Sequence, residues 1–461
     1  MRNNNDDKMN QQEWRAAGSL SLVYAFRMLG MFMVLPVLAT YGTDLANATP
    51  LLIGVAIGAY GLTQAFLQVP FGIASDRLGR FPVIYFGLVL FALGSALAAV
   101  SDSIYGVIAG RVLQGAGAIS AAVMALLADL TREQHRTKVM GVIGVSIGFS
   151  FAVAMVIGPI ITGWMGLAGL FWFTALMAIL GIVLIKFLVP RPKRQLMSRE
   201  SGVTLSQFKQ VISNPELLRM NLGIFVLHAV LMASFIALPL SLQSVGELPK
   251  EQHWWVYLIA MSIGFFGMIP FIIYSEKQRK MKRTLQGAIL FLLLAELYFL
   301  TVAHNLALLI GGITVFFTAF NLLEASMPSL ISKIAPASNK GTAMGVYSTT
   351  QFLGAALGGI LGGWLFSVGE GAAVFAGCAV LLAIWWISAW FMQEPPYVTS
   401  TRMQIQPAAV HQTEWLARVT VQEGVSEAVI VAEEAAVYIK FDAKVINRTQ
   451  LESLVPVVFS E

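Results

Sequence analysis

Long apolar runs recur along most of this sequence. Twelve can be separated, each about 20 residues long, which is the length a helix needs to cross the hydrocarbon core of a bilayer. They are too long and too continuous for barrel strands, so helices are the structure that can satisfy the backbone in lipid. The predicted spans, numbered one to twelve, are 17–41, 51–71, 82–100, 104–127, 138–163, 167–189, 217–243, 253–274, 284–302, 306–328, 340–367 and 371–393.

Composition agrees with a membrane protein and excludes other classes. Of the 461 residues, 57% are hydrophobic and 12% are charged, about half the charged fraction of a soluble chain. The single cysteine, Cys378, excludes disulfides and cysteine-rich metal sites. The sequence holds no nucleotide-binding loop, no nucleophile–histidine–acid arrangement and no metal-ligand cluster. We therefore predict a protein that is not an enzyme and needs no metal or other cofactor.

Basic residues are distributed unevenly between the loops. The segment 1–16 and the loops after even-numbered spans hold nearly all of them, whereas the loops after odd-numbered spans hold only Lys250. Basic loops stay in the cytoplasm. We therefore expect a multi-pass protein of the bacterial inner membrane with both termini in the cytoplasm. The net charge of +5 reflects this bias and does not indicate nucleic-acid binding.

The two halves of the chain resemble each other. Residues 126–142 align without gaps on residues 330–346, an offset of 204. Because each half holds six spans, both have the same orientation, which indicates a parallel duplication about an axis along the membrane normal. The predicted division is a segment at 1–16, an N-terminal half at 17–189, a basic linker at 190–216, a C-terminal half at 217–394 and a soluble tail at 397–461.

A charged turn joins spans two and three. It has the pattern G-x-x-x-D-R-x-G-R, formed by Gly72, Asp76, Arg77, Gly79 and Arg80. The pattern resembles the signature loop between the second and third helices of the major facilitator superfamily. The resemblance implies two six-helix halves around a central site, and it implies that this turn belongs to a conformational gate.

The same resemblance assigns partners to the charged residues of this turn. Asp76 is expected to dock on the start of span eleven, near 341–344, because a helix N-terminus has unpaired N–H groups and partial positive charge. That contact would latch the two halves together on the cytoplasmic side. Arg80 is expected to pair with Asp129 at the end of span four.

Two further motifs point to the proton-coupled members of this family. Arg111 and Gln114 in span four form an R-x-x-Q-G motif, and an arginine inside a membrane span marks a functional site. The resemblance links this arginine to proton coupling, although at the outer end of its span it could instead reach the interface. The alternatives remain open from sequence.

Span five carries small residues that end in a Gly-Pro pair. Gly148, Gly158, Pro159 and Gly163 resemble the antiporter motif of the family, although Val145 stands where a glycine is usual. Small residues let helices approach closely, and a Gly-Pro pair bends them. The run favours antiport over symport and places the chain nearest to the 12-helix drug:proton antiporter group.

Isolated polar residues lie inside several spans. Arg27 lies in span one, His228 in span seven, and Asn321 and Glu324 in span ten. Each is costly in lipid and should face the interior. Spans one, four, seven and ten line the cavity in the family, so we expect Arg27 and Glu324 to pair across the halves. Glu296 in span nine, which is peripheral in the family, is expected to be structural.

The tail has the composition of a soluble domain. Strands are predicted at Val398–Gln406, Ala428–Ala432 and Ala436–Lys440, with helices at His411–Glu423 and Asn447–Val458. This βαββα order, with room for a closing strand, resembles a ferredoxin-like domain of the metal-associated type. The loop after the first strand lacks that type's two cysteines, so no metal site is implied. We expect the tail to dock on linker 190–216, where it stabilises one conformation or mediates self-association.

Three functions are compatible with the sequence. The first is a proton-coupled antiporter that exports small hydrophobic or amphiphilic compounds by alternating access. The second is a symporter or facilitator for a metabolite, which the mostly apolar spans disfavour. The third is a sensor or chaperone-like membrane protein whose tail carries the signal, which the intact gate motif disfavours. The expected partners are therefore a small-molecule substrate, protons and the lipid bilayer.

Overall fold

The protein is a long helical bundle followed by a small mixed domain. The computed structural model describes residues 9–191, 205–301, 305–336, 339–410, 412, 414–432 and 435–457. Helices occupy most of them, and a three-stranded antiparallel sheet lies near the C-terminus. This confirms the predicted fold class, an all-α membrane bundle with a small α+β domain.

The helices of the N-terminal half follow the predicted spans, and spans one and four are each broken into two pieces. Span one breaks before α2, where Pro36 occupies the first turn of the new helix, and span four breaks at 117–119. The helices are α1 (Gln11–Phe32), α2 (Leu35–Tyr41), α3 (Pro50–Leu78), α4 (Arg80–Ala99), α5 (Ile104–Ala116), α6 (Ser120–Asp129) and α7 (Glu133–Phe187).

The C-terminal half begins after a short helix in the linker. Its helices again follow the predicted spans, and large apolar side chains such as Phe266 and Trp390 point outward, as a lipid-facing surface requires. The linker helix and the helices of this half are α8 (Leu205–Ser213), α9 (Pro215–Ser244), α10 (His253–Lys277), α11 (Met281–Phe299), α12 (Leu306–Ile334) and α13 (Lys340–Trp390).

Two of these helices cross the membrane twice. α7 has 55 residues and α13 has 51, so each is about 80 Å long at 1.5 Å per residue, far more than a bilayer core of about 30 Å. α7 turns at Gly166, which has φ 68°, and α13 turns at Gly369 and Glu370. These turns separate spans five and six, and spans eleven and twelve.

The described residues contain twelve crossings in all. Nine helical segments are long and apolar enough to span a membrane, and α7 and α13 each supply a second crossing. α11 adds one more, although its 19 residues include Lys282, Arg283 and Glu296. We call the end of the bundle that carries the basic loops after spans two, four, eight and ten the basic end, and the other end the opposite end.

The C-terminal domain forms its own small core. Its sheet has the order β1-β3-β2 with antiparallel pairing, and buried residues such as Met403, Val437 and Leu451 fill the space between sheet and helices. Val457 makes one antiparallel bridge to Ile405, and the residues after it lie outside the described chain. The elements are β1 (Thr399–Gln404), α14 (Glu414–Thr420), β2 (Val425–Val431), β3 (Ala436–Phe441) and α15 (Arg448–Leu454).

This domain rests on the basic end of the C-terminal half. Lys440, which is 4% exposed, donates to the backbone oxygen of Lys333 at 3.1 Å and to that of Ala335. Both oxygens belong to the end of span ten, where helix carbonyls lack partners and favour a cation. Burial lowers the pKa of Lys440, and Glu427 at 3.5 Å opposes that shift. Lys440 therefore caps a membrane helix from within another domain.

A second contact ties the domain to the loop between spans eight and nine. Asp442 accepts two hydrogen bonds from the Arg279 guanidinium, at 2.6 and 2.8 Å. The N–H of Lys444 and the Arg279 guanidinium hold the pKa of Asp442 below its usual value. Docking was predicted on linker 190–216, of which 192–204 lie outside the described residues. The contacts of Lys440 and Asp442 instead go to spans eight to ten.

Candidate functional site

The two halves are packed closely at the opposite end. Spans two and eleven cross there with so little space that a Cβ at Gly58 would lie 2.3 Å from the backbone oxygen of Ala356. In the loops, Lys250 Nζ of the C-terminal half lies 3.5 Å from Asp44 Oδ2 of the N-terminal half. Both contacts join one half to the other, so the opposite end is closed.

The end of the predicted antiporter motif takes part in this closed region. A Cβ at Gly158 would lie 2.6 Å from the backbone oxygen of Met33 in span one. Pro159 follows inside α7, and Gly163 faces Glu251 of the loop between spans seven and eight. The small residues at 158–163 therefore serve close packing, as the sequence predicted.

The basic end is open. A Cβ added at Gly148 in span five or at Gly345 in span eleven would meet no atom of the described residues within 4 Å. Val145 and Phe149, on the same part of span five, are 71% and 69% exposed. The close approach predicted at Gly148 is thus absent from this conformation, and the close glycine contacts between the two halves, such as that at Gly58, lie towards the opposite end.

The charged turn forms a cluster within the N-terminal half. Arg80 pairs with Asp76, and its Nε lies 3.2 Å from Asp129 Oδ2, which confirms the predicted pair. Ser75 accepts a further hydrogen bond from Arg80 at 2.8 Å. Within the described chain no hydrogen bond joins Asp76 to 341–344, so the predicted contact with span eleven is not formed. The two halves are separated at this end, which removes the helix N-terminus from reach.

The other residues of the turn set its geometry. Gly79 has φ 97°, a conformation that side chains disfavour, and it lets α3 end and α4 begin at once. Gly72 lies against Ala121 of span four, where a Cβ would be 3.4 Å from the alanine methyl. Arg77 is exposed. The turn is therefore fixed by glycine conformation and by the Arg80 ion pairs.

Arg111 lies in the interior of the N-terminal half. It is 1% exposed and donates to the Ala56 backbone oxygen at 3.2 Å and to Gln114 Oε1 at 3.0 Å. Its guanidinium lies 4.9 Å from the centre of the Tyr60 ring. Gln114 in turn donates to Ser95 at 2.7 Å. Of the two alternatives left open by the sequence, the structure selects the interior one.

Arg27 is also buried, and its partners lie in its own half. It donates to Ser120 Oγ at 2.7 Å and to Gln64 Oε1, and Gln64 is completely buried. The predicted ion pair between Arg27 and Glu324 is therefore wrong for this conformation. Two neutral oxygens from spans two and four accept from its two terminal nitrogens instead, and its buried Nε has no hydrogen-bond partner among the described residues.

Glu324 forms a polar cluster with two residues of the C-terminal half. Its Oε2 lies 3.8 Å from His228 Nε2 of span seven, and its Oε1 accepts from Gln351 Nε2 of span eleven at 3.2 Å. The Glu324 side chain is 33% exposed, and that of His228 is 6% exposed. Asn321 is one turn away on span ten, and its amide nitrogen has no hydrogen-bond partner in the described chain. The Glu324 side chain is thus partly exposed, while its Oε2 faces a titratable neighbour and is buried without a hydrogen-bond partner in the described chain.

An aromatic layer separates this cluster from the opposite end. Phe151 of span five lies 4.8 Å from Phe32 of span one and 5.7 Å from Phe320 of span ten, measured between ring centres. Phe320 also contacts His228, at 6.1 Å. The layer draws on both halves, so it closes the interior on one side and offers an apolar surface on the other.

Sequence reasoning missed the amide residues of both clusters. Gln64, Gln351 and the hydroxyl of Ser120 provide the contacts of Arg27, His228 and Glu324 described above. A glutamine inside an apolar span is itself costly in lipid, and that signal was present in the sequence. It does not identify the partner, which depends on how the spans are packed.

Comparisons with known proteins agree on one family. The model of the Major Facilitator Superfamily matches residues 20–358 and 281–433. The inner membrane transport protein YajR of Escherichia coli strain K12 is 52% identical over 452 residues, which are 98% of this chain and 99% of that protein. The multidrug resistance protein MdtH of Proteus mirabilis is 25% identical over 74% of this chain and 85% of its own. A bacterial homologue of the human lysosomal transporter Spinster, solved in an inward-facing and occupied conformation, has a TM-score of 0.67 at 13% identity and covers 83% of this chain and 97% of its own.

Proposed function

This chain belongs to the major facilitator superfamily and is a multi-pass transporter of the inner membrane, and we propose that it is a proton-coupled antiporter. It exports small hydrophobic or amphiphilic compounds by alternating access between two conformations. The basic end faces the cytoplasm in this proposal, because basic loops remain on that side. The conformation described above is then the inward-facing one, open to compounds from the cytoplasm.

The position of the Glu324 carboxylate is the main observation that supports this proposal. It is a partly exposed carboxylate inside span ten, 3.8 Å from His228, and titratable groups inside membrane spans mark proton and ion pathways. Arg27 and Arg111 are buried and hold fixed hydrogen bonds to neutral groups. Glu324 and His228 are therefore the groups best placed to take up and release a proton during transport.

The aromatic layer supports a hydrophobic cargo. The rings of Phe32, Phe317 and Phe320 each contact Phe151, and Phe320 also contacts His228 of the Glu324 cluster. Binding sites for apolar ligands are lined by aromatic side chains in this way. MdtH, a distant relative, is named as a multidrug resistance protein. A compound with an apolar body and a polar group would contact the aromatic rings and the Glu324 cluster together.

Asp76 acts in the other conformation. When the basic end closes, the start of span eleven comes within reach of Asp76, and its unpaired N–H groups attract the carboxylate. In the open conformation Asp76 is retained by Arg80. Asp76 thus exchanges the Arg80 side chain for a helix N-terminus during each cycle. The C-terminal domain either holds spans eight to ten in place during this exchange or mediates self-association.

A metabolite symporter or facilitator is the second candidate. The buried cluster of Arg27, Gln64 and Ser120 favours it, because amide and hydroxyl groups bind polar substrates. Everted membrane vesicles distinguish the two candidates. With an imposed pH gradient, a panel of amphiphilic compounds should accumulate in vesicles that contain the protein, and a protonophore should abolish the accumulation. Uptake of polar metabolites without any pH gradient, or driven by a pH gradient of the opposite direction, would favour the second candidate.

A further inference from the structure

Gln351 lies between the two titratable residues of the central cluster. Its Nε2 is 2.8 Å from His228 Nε2 and 3.2 Å from Glu324 Oε1. The three side chains come from spans eleven, seven and ten, and His228 is 5% exposed. A single amide group therefore contacts both groups that could carry a proton.

These contacts define which nitrogen of His228 carries hydrogen. An amide nitrogen donates only, so His228 Nε2 must accept the bond from Gln351. His228 Nδ1 lies 3.3 Å from the Ile224 backbone oxygen, which accepts only, so Nδ1 must donate. Both contacts require the neutral imidazole with its hydrogen on Nδ1, and the bond to Glu324 requires an acceptor at Oε1.

Tyr347 is a further titratable group beside this arrangement in the described part of the chain. Tyr347, on the same helix as Gln351, lies within electrostatic range of Glu324, and its buried hydroxyl has no hydrogen-bond partner in the described chain. From the N-terminal half, the aromatic ring of Phe151 contacts Phe320 beside His228. Span seven contributes His228 itself and span ten contributes Glu324. Gln351 therefore determines that His228 Nε2 and Glu324 Oε1 must both act as hydrogen-bond acceptors.

Span eleven connects this cluster to the closed end of the bundle. A Cβ at Gly354 would lie 2.2 Å from the Phe225 backbone oxygen of span seven, and one at Gly359 would lie 2.7 Å from the Gly54 backbone oxygen of span two. Gly354 is one turn from Gln351 on this helix. A change in the position of Gln351 therefore acts on a helix that packs against both halves.

We propose that Gln351 is a positioning residue that holds His228 neutral, with its hydrogen on Nδ1, and keeps Glu324 Oε1 as a hydrogen-bond acceptor, and that it links the protonation of this pair to span eleven. A proton on His228 Nε2 or on Glu324 Oε1 would place two donors against each other. The amide must then rotate to present its oxygen, or span eleven must move. The role of Gln351 in coupling rests on the proposed antiport. The assignment of the His228 hydrogen to Nδ1 does not depend on it.

Nitrogen NMR of the full-length protein in lipid nanodiscs tests this inference without a substrate. The protein would be labelled with 15N-histidine, the His228 signal would be assigned by its loss in His228→Gln, and spectra would be recorded across pH. Two variants replace the amide. Gln351→Met removes the hydrogen bonds to His228 and Glu324, and Gln351→Glu supplies an acceptor in place of the donor. Gln286→Met is the matched control, because Gln286 also lies in a membrane helix and donates to the Ala389 backbone oxygen at 3.1 Å, away from this cluster.

The wild-type protein should show His228 as the Nδ1–H form. Its titration midpoint should rise in Gln351→Met, and by about one pH unit or more in Gln351→Glu, because a nearby carboxylate favours the imidazolium ion. Gln286→Met should match the wild type. An Nε2–H form in the wild type, or the same midpoint in all four proteins, would overturn the inference. If a transport assay detects no proton coupling, that outcome would contradict the proposed function but would leave the NMR result for His228 intact.

Discussion

Arg80 Nε lies 3.2 Å from Asp129 Oδ2, so the turn after span two is tied to the end of span four. The same guanidinium pairs with Asp76. The corresponding positions of the second half are Glu276, Lys280 and Lys333, at offsets of 200 to 204, and there Lys333 Nζ lies 2.9 Å from Glu276 Oε1. The second half therefore has one acid where the first has two, and Asp442 of the C-terminal domain supplies another acid beside that loop through Arg279.

The first prediction concerns the latch. Asp76→Asn should lower transport about tenfold while expression stays near that of the wild type, because a carboxylate at a helix N-terminus is worth up to about 2 kcal/mol and its amide much less. Spin labels at Leu78 and Lys277, exposed positions at the basic ends of the two halves, would measure the separation. The variant should populate the open basic end more than the wild type does.

Glu276→Gln is the control for this change. Glu276 is the counterpart of Asp76 in the other half and pairs with Lys333, so its loss should leave the separation of the two halves unchanged. Wild-type transport in Asp76→Asn, or an equal effect of the two substitutions, would show that Asp76 is not a latch.

The second prediction concerns the closed end. In Gly58→Ala the new methyl group would lie 2.3 Å from the Ala356 backbone oxygen, so spans two and eleven cannot remain in contact. Transport should fall at least tenfold, and labels at the opposite end should report a larger separation. Gly287→Ala is the control, since a Cβ there meets no atom of the described chain within 4 Å. If the two alanine variants behave alike, the close packing at Gly58 has no role in the cycle.

The third prediction concerns Glu324. Glu324→Gln should keep compound binding within a few-fold of the wild type but lose pH-dependent, uphill export, because an amide cannot exchange the proton. Glu296→Gln is the matched control. Glu296 is buried and accepts from Ser234 at 2.7 Å, so its variant should retain coupling. A wild-type pH profile for export by Glu324→Gln would remove Glu324 from the mechanism.

The fourth prediction concerns the C-terminal domain. Lys440→Met leaves the carbonyls at the end of span ten without their donor and should weaken docking by about 1–3 kcal/mol, whereas Lys444→Met, which changes an exposed lysine of the same domain, should not. Fluorescence energy transfer between the domain and the loop at 277–283 measures docking. Undiminished transfer in Lys440→Met would contradict the contact.

Docking should also depend on pH through Asp442. Its pKa is lowered by the Lys444 N–H and by Arg279, so its contribution is fully present above the usual aspartate pKa of about 3.9. The contribution is lost as the pH falls through the lowered value. Energy transfer should therefore decrease only below about pH 4, and Asp442→Asn should show reduced transfer at neutral pH and no further decrease in acid.

The sequence was sufficient to predict the helix bundle, because the length of the apolar runs and the charge of the loops do not depend on tertiary contacts. It also identified Arg80 and Asp129 as partners through a family motif. It could not identify the partners of Arg27 and Glu324, because a guanidinium can donate to any suitably placed acceptor and a carboxylate can accept from any suitably placed donor. Gln64 and Gln351 meet those charges only once spans from different parts of the chain are packed. The partner of Asp76 depends in addition on which end of the bundle is open.

Simultaneous measurement of proton and compound movement tests the central claim most directly. Proteoliposomes would contain the wild-type protein and a pH-sensitive dye, and an amphiphilic compound would be added under a fixed gradient. We expect compound-dependent proton movement in the opposite direction, which Glu324→Gln abolishes and Glu296→Gln retains. Compound transport by the wild-type protein without any proton movement would contradict the claim.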